Sequence, residues 1–169
     1  MISEEQFHRA KILIVDDEPP NIRLLEHLLK GKGYTCIEGI TDPRKTVEVY
    51  QKFQPDLVLL DLNMPHLNGF QVLEQLNNLD QEYHVPVMVL TAQIDSDSKL
   101  RALKGGARDF LSKPFDLIEL SMRIRNLLEV RLLIGQLFMD HKKLKEKFDG
   151  NVFELAIAMT KLNKQSPTT

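Results

Sequence analysis

The chain has 169 residues, 43% apolar and 27% charged, and sets 22 Lys and Arg against 24 Asp and Glu for a net charge of −2. That composition provides enough aliphatic content for a core and excludes disorder as the main state, and near-neutrality excludes a dominant polyanion-binding surface, so no direct nucleic-acid binding is expected. The single cysteine, Cys36, excludes an internal disulfide and a cysteine-based zinc cluster; no apolar run approaches the roughly 20 residues of a bilayer span, and the acidic start MISEEQFHRAK lacks a secretory signal's apolar core, so the expected location is cytoplasmic, away from the membrane.

Residues 1–9 are polar and expected to be flexible. Ile12-Leu13-Ile14-Val15 is a short apolar run that stops abruptly at Asp16-Asp17-Glu18. Such a run, bounded by polar residues, predicts a strand buried on both faces. Pro19-Pro20-Asn21 suits the first turn of a helix, Ile22, Leu25, Leu28 and Leu29 recur at helical spacing, and Gly31 and Gly33 stop it. Tyr34 to Glu38 predicts a weak strand, with Cys36 as an inert small side chain in it. Thr41-Asp42-Pro43 places a capping side chain before a proline, and Val47, Tyr50 and Phe53 mark the next helical face.

Asp56 to Leu60 is the strongest predicted strand and delivers Asp61 at its carboxyl end. Leu73, Leu76 and Leu79 mark a third helix, Val85 to Leu90 a fourth strand leading into Thr91-Ala92, and Leu100 and Leu103 a short helix that stops at Gly105-Gly106. Ala107 to Leu111 is the last predicted strand, followed by Ser112-Lys113-Pro114. Strands alternating with helices through short connections predict a doubly wound α/β domain over residues 10–130, with a five-stranded parallel sheet.

The pattern changes after Phe115. From Asp116 to Phe148 there is no proline and one glycine, Gly135, which predicts a helix of about 33 residues and about 50 Å. Leu117, Leu120, Ile124 and Leu127 form a stripe facing the sheet, and Val130, Leu133, Leu137 and Leu144 extend an apolar seam that needs a partner, such as a second copy. Asp149-Gly150-Asn151 is expected to break this helix, and Val152 to Leu162 to form a second. Residues 131–164 are therefore read as a helical extension with coiled-coil character, and 165–169 as a disordered tail.

Polar residues collect at the carboxyl ends of the strands, where open α/β sheets bind ligands. If the strand order is 2-1-3-4-5, Asp16, Asp17 and Asp61 share one crevice with Thr91 and Lys113. Like charges so placed require raised pKa values or a bound cation. Oxygen-only ligands select a hard divalent ion, and Mg²⁺ fits best. A cation, an ammonium and a hydroxyl are what a phosphoryl group in transfer needs around its oxygens, and Asp61 can act as the nucleophile.

ILIVDD at 12–17, LLDLNMP at 59–65, LTA at 90–92 and FLSKPF at 110–115 closely resemble, in order and spacing, the four blocks of the receiver domain of two-component response regulators. The resemblance covers about three quarters of the chain. It implies the flavodoxin-like order 2-1-3-4-5 and a phosphorylation-dependent switch that turns over no external substrate. By the same resemblance Asp61 is the phospho-acceptor; Asp17 ligates Mg²⁺ directly, Asp16 through water, and Asn63 through its backbone carbonyl. Thr91 and Lys113 bind the phosphoryl group, Ala92 leaves room for a phosphodonor, and Phe110 is a switch aromatic that turns inward. Asn63 and Gln93 take positions that tune phosphate loss.

The implied donor is a sensor histidine kinase or a histidine phosphotransfer protein, docking around Asn21, Ile22, Leu25 and Pro114. A homodimer is expected through the C-terminal helix, or through the face made by the Leu100–Leu103 helix, the last strand and the helix after it. Asp109 and Arg123 are placed either to pair across such a face or to lie solvated. The residues bear on two other readings. A haloacid-dehalogenase-like phosphatase would need a second Asp two residues after the nucleophile, where this chain has Asn63. An inactive dimerisation adaptor would not need the full set of chemical positions, all of which are present. IRNLLEVRLL at 124–133 resembles the linker of regulators whose receiver precedes a cyclic-dinucleotide phosphodiesterase or cyclase, although no HD or GGDEF signature follows it in the chain.

Overall fold

A computed structural model describes residues 1–79, 85–92 and 95–165, with the backbone alone for 163–165. Five strands, β1 (Lys11–Val15), β2 (Cys36–Ile40), β3 (Leu57–Leu60), β4 (Val87–Thr91) and β5 (Asp109–Ser112), form one parallel sheet in the order β2-β1-β3-β4-β5. The helices are α1 (Glu4–His8), α2 (Pro19–Gly31), α3 (Thr46–Phe53), α4 (Gly69–Leu79), α5 (Ser96–Lys104) and α6 (Leu117–Gln165), with a 3-10 turn at Pro43–Lys45. The expected sheet and its expected order are both present.

The continuous apolar runs are explained by what lies on each side of the sheet. Ile12, Ile14, Leu57, Leu59, Met88 and Leu90 face one core layer, shared with Leu25 and Leu29 of α2 and with Leu120, Ile124 and Leu128 of α6. Their strand neighbours Leu13, Val15, Val58, Leu60, Val87 and Val89 face the other, shared with Val72, Leu73 and Leu76 of α4 and Ala102 of α5. Alternate side chains point to opposite faces, so a strand covered by helices on both sides must be apolar throughout.

Several expectations are corrected in detail. The N-terminal stretch is helical rather than irregular: Ser3 and Gln6 form a capping box for α1, which buries Phe7 in the first core layer. The second strand begins at Cys36, two residues later than expected; Tyr34 precedes it and is buried. In α3 the core-facing side chains are Val49, Tyr50 and Phe53, with Val47 outside that set. Leu79, Leu100, Leu103 and Leu117 are exposed, and Ala102 supplies the buried contact of α5. Of the expected helix stops at Gly31 and Gly150, the first is present and the second is not. Gly31 ends α2 and Gly33 takes φ 91°, a conformation glycine adopts without steric cost, whereas α6 runs through Gly150 without the expected break.

Asp42 caps the 3-10 turn, accepting hydrogen bonds from Arg44 N (3.0 Å) and Arg44 Nε (2.9 Å). The side-chain hydrogen bond from Arg44 leads the effects that hold the Asp42 carboxyl at about 2. A depressed carboxyl contributes stability above its ordinary pKa of 3.8 and loses it as pH falls through about 2. The expected NMR titration midpoint of Asp42 is therefore about 2, returning towards 3.8 in Arg44→Ala.

Two compact units divide the chain, Met1–Leu133 and Ile134–Thr169. The first contains the whole sheet. In the second, Leu137, Leu144, Phe148, Leu155 and Leu162 are each at least 63% exposed. No helix among the described residues is long and apolar enough to cross a membrane.

Candidate functional site

Backbone pairing carries the candidate residues just past their strands. Asp16 N donates to Ile40 O (3.2 Å), Asp61 N to Val15 O (2.9 Å), and Lys113 N to Thr91 O (2.9 Å). The parallel order therefore brings four separate stretches of chain to one edge of the sheet. Carboxylate oxygens of Asp16, Asp17 and Asp61 lie within 4.8 Å of one another. Asp16, Asp61 and Thr91 are buried, and Asp17 is half-buried.

Lys113 Nζ bridges two of these acids, donating to Asp16 Oδ2 (2.9 Å) and to Asp61 Oδ2 (3.1 Å). Burial alone would push its ammonium down; hydrogen bonding to Asp16 and the charges of Asp61 and Asp16 outweigh that and hold it above the ordinary lysine value. The lysine is therefore a fixed positive charge. Asp16 is oriented further by Glu18 N (2.9 Å) and by Asn21 Nδ2 (3.2 and 3.1 Å), while Asn63 N donates to Asp61 Oδ1 (3.0 Å).

Charge counting tests whether a metal suits these residues. Two carboxylates 4.8 Å apart repel by about 3.5 kcal/mol at an effective dielectric of about 20. Three carboxylates and one ammonium leave a formal −2, which a divalent cation would cancel. All the donors are oxygen, two of the three acids are buried, and their side chains are already oriented, so the residues fit a hard divalent ion such as Mg²⁺.

The loop after Asp61 is held by contacts that the sequence reading passed over. Gly69 opens α4, and its N–H donates to Leu62 O (3.0 Å). A Cβ at Gly69 would lie 2.4 Å from Asp61 O and 2.5 Å from Leu62 Cα, both rigid backbone atoms. Asn68 and Gln71 cap the helix reciprocally, at 3.0 and 3.1 Å. The only sequence signal for this approach is a lone glycine where a helix begins. Gly69→Ala is expected to destabilise by about 2 kcal/mol or more and to shift the amide resonances of Asp61 and Asn63, measured by urea unfolding and by NMR.

Of the remaining predicted residues, Phe110 is buried in the second core layer, Ala92 is exposed beside Thr91, and Pro114 is exposed after a cis peptide bond. Gln93 lies outside the described residues. The expected docking group is corrected: Ile22 and Leu25 are buried in the core, and Asn21 is a partner of Asp16. Leu24, 49% exposed, stands on the outer side of α2 instead. The burial follows from the stripe itself, because Ile22, Leu25 and Leu29 lie on the helix face that covers β1. Arg123 Nη1 pairs within the chain, with Asp109 Oδ1 (2.9 Å).

Comparison with known proteins identifies the family. The family model of the response regulator receiver domain matches residues 12–125. Response regulator PleD of Caulobacter vibrioides is 36% identical over 128 residues, covering 76% of this chain and 28% of PleD. The DNA-binding dual master transcriptional regulator RpaA of Synechocystis is 36% identical over 118 residues, covering 70% of this chain and 48% of RpaA. The chain thus spans half or less of these relatives. Among solved structures, the chemotaxis protein CheY4 of Vibrio cholerae superposes with a TM-score of 0.66 at 28% identity, covering 70% of this chain and 98% of that one. The signal receiver domain of a signal transduction histidine kinase from Syntrophus aciditrophicus gives 0.65 at 32% identity, covering 71% and 90%. With an acidic cluster facing a lysine at the strand ends, and a family match over most of the sheet, this chain belongs to the response regulator receiver domain family.

Proposed function

We propose that this protein is a phosphorylation-dependent switch in a two-component pathway, with Asp61 as the acceptor of a phosphoryl group from a histidine kinase or phosphotransfer protein. The observation that carries the reading is the contact of Lys113 Nζ with both Asp16 and Asp61 inside a three-carboxylate cluster. An Asp61 oxygen attacks phosphorus while the bond from phosphorus to the donor atom breaks, and the leaving group departs with the electron pair. Lys113, already 3.1 Å from Asp61, would bind an oxygen of the transferring group, and the hydroxyl of Thr91, the last residue of β4, would donate to another. Asp16, Asp17, Asp61 and the Asn63 carbonyl would hold Mg²⁺, which would supply the charge neutralisation that lets two anions meet.

The added charge of about −1.5 to −2 at Asp61 draws Thr91 and Lys113 towards it, and the β4–β5 edge with Phe110 responds. The domain acts on its own aspartate and turns over no external substrate. Asn63, two residues beyond the acceptor, carries an amide that cannot serve as the general acid of a phosphatase. Mass spectrometry of the intact chain tests the reading. Acetyl phosphate with Mg²⁺ is expected to add one phosphate, and excess chelator to prevent it. No adduct, or one indifferent to chelation, overturns it.

A further inference from the structure

The second unit, Ile134–Thr169, leaves a long apolar seam uncovered in the described residues, and its spacing specifies what covers it. Residues Ile134, His141, Phe148, Leu155 and Leu162 recur every seven positions along α6. Leu137, Leu144, Asn151 and Ala158 recur at the same interval, offset by three. Together they make a 3,4 repeat of four heptads, the seam of a left-handed two-helix supercoil. An exposed apolar stripe of this extent marks an interaction surface.

We infer that this seam pairs with the same seam of a second copy, parallel and in register. Orientation follows from charge and from the two polar core positions. In the parallel arrangement Asp140 faces the partner's Lys145, opposite charges flanking the seam, and Asn151 meets its own counterpart, so that each buried amide has a polar partner. An antiparallel pair that overlaps the whole seam sets His141 against Asn151 but brings Lys147 against Lys147 and Asp140 against Glu154. Sliding that antiparallel pair by one heptad relieves the charges, yet it presses Asn151 against Phe148, leaving a buried amide without a partner. The parallel register alone satisfies both conditions. It is independent of any chemistry at Asp61.

Light scattering on the full chain is expected to give twice the 19.5 kDa of one copy. Cross-linking then reads orientation. In a Cys36→Ser background, Leu155→Cys is expected to form a disulfide with its own counterpart under mild oxidation. The two antiparallel registers place those positions about 27 Å and about 16 Å apart along the axis, beyond disulfide reach. They predict instead efficient mixed cross-links, of Leu155→Cys with Leu137→Cys or with Leu144→Cys. A monomer, or mixed cross-links without the self-linked species, overturns the inference. Leu144→Lys is expected to return the chain to one copy, with the thermal melt of the sheet-containing unit retained as the control for folding.

Discussion

The Asp61→Asn variant is expected to gain no phosphate under conditions in which the parent chain gains one. Replacing the carboxylate by an amide removes the negative charge and leaves an oxygen too weakly nucleophilic to attack phosphorus, so the loss is complete rather than graded. The fold is expected to persist, for reasons visible at the site. Asparagine has the shape of aspartate, and its oxygen can still accept from Asn63 N, now 3.0 Å away. Lys113 retains Asp16 at 2.9 Å, so its charge is not stranded. Losing one of three mutually repelling carboxylates offsets the loss of one lysine contact, and the change in stability is expected to stay within about 1 kcal/mol. Intact mass and a thermal melt check both halves. Phosphate incorporated undiminished by the variant would move the acceptor to another residue and overturn the assignment of Asp61.

The second large effect is structural. Phe7→Ala is expected to destabilise the protein by about 3 kcal/mol, at the low end for a phenylalanine removed from a core because α1 is short and can partly relax. For a domain of this size that corresponds to a fall in Tm of roughly 6–12 °C. Phe7 is 3% exposed, and the Arg125 guanidinium lies 4.2 Å from its ring centroid while also pairing with Glu4. Truncation therefore opens a cavity in the first core layer and removes the surface on which the Glu4–Arg125 pair rests. Urea unfolding measures it. A change below about 0.5 kcal/mol would mean that α1 frays and contributes nothing to the core.

That Phe7 is a core residue was not legible in MISEEQFHRAK, because a single aromatic among polar residues has no periodicity. Its burial depends on α6, more than a hundred residues later, supplying Arg125 above it. The same physical limit holds along the rest of the chain. Ile12–Val15 and Leu57–Leu60 were legible because a strand covered on both faces has to be apolar at every position. Leu100 and Leu103 misled because helical spacing says that a stripe exists, not which side of it meets the sheet, and Ala102 takes that place. Glycine stops α2, where the chain turns to bury Tyr34. Gly150 does not stop α6, because a glycine costs a helix only about 1 kcal/mol and no buried residue follows it among the described residues.

At the site, the residue types were legible and their partnerships were not. Asp16, Asp17, Asp61, Thr91 and Lys113 stand at the ends of apolar runs, so their arrival at one sheet edge follows from alternation and strand order. Asn21 as a partner of Asp16 and Gly69 pressed against Asp61 O depend on distances of about 3 Å or less between separate elements. Sequence by itself determined which residues are apolar at which period, hence the number and order of elements and the chemistry available at their ends, since these are local consequences of side-chain type. Tertiary structure alone decided which helix face is buried, that Lys113 spans two acids, and that the first residues join the core, because each of those outcomes is the solution of packing and charge among segments far apart in the chain.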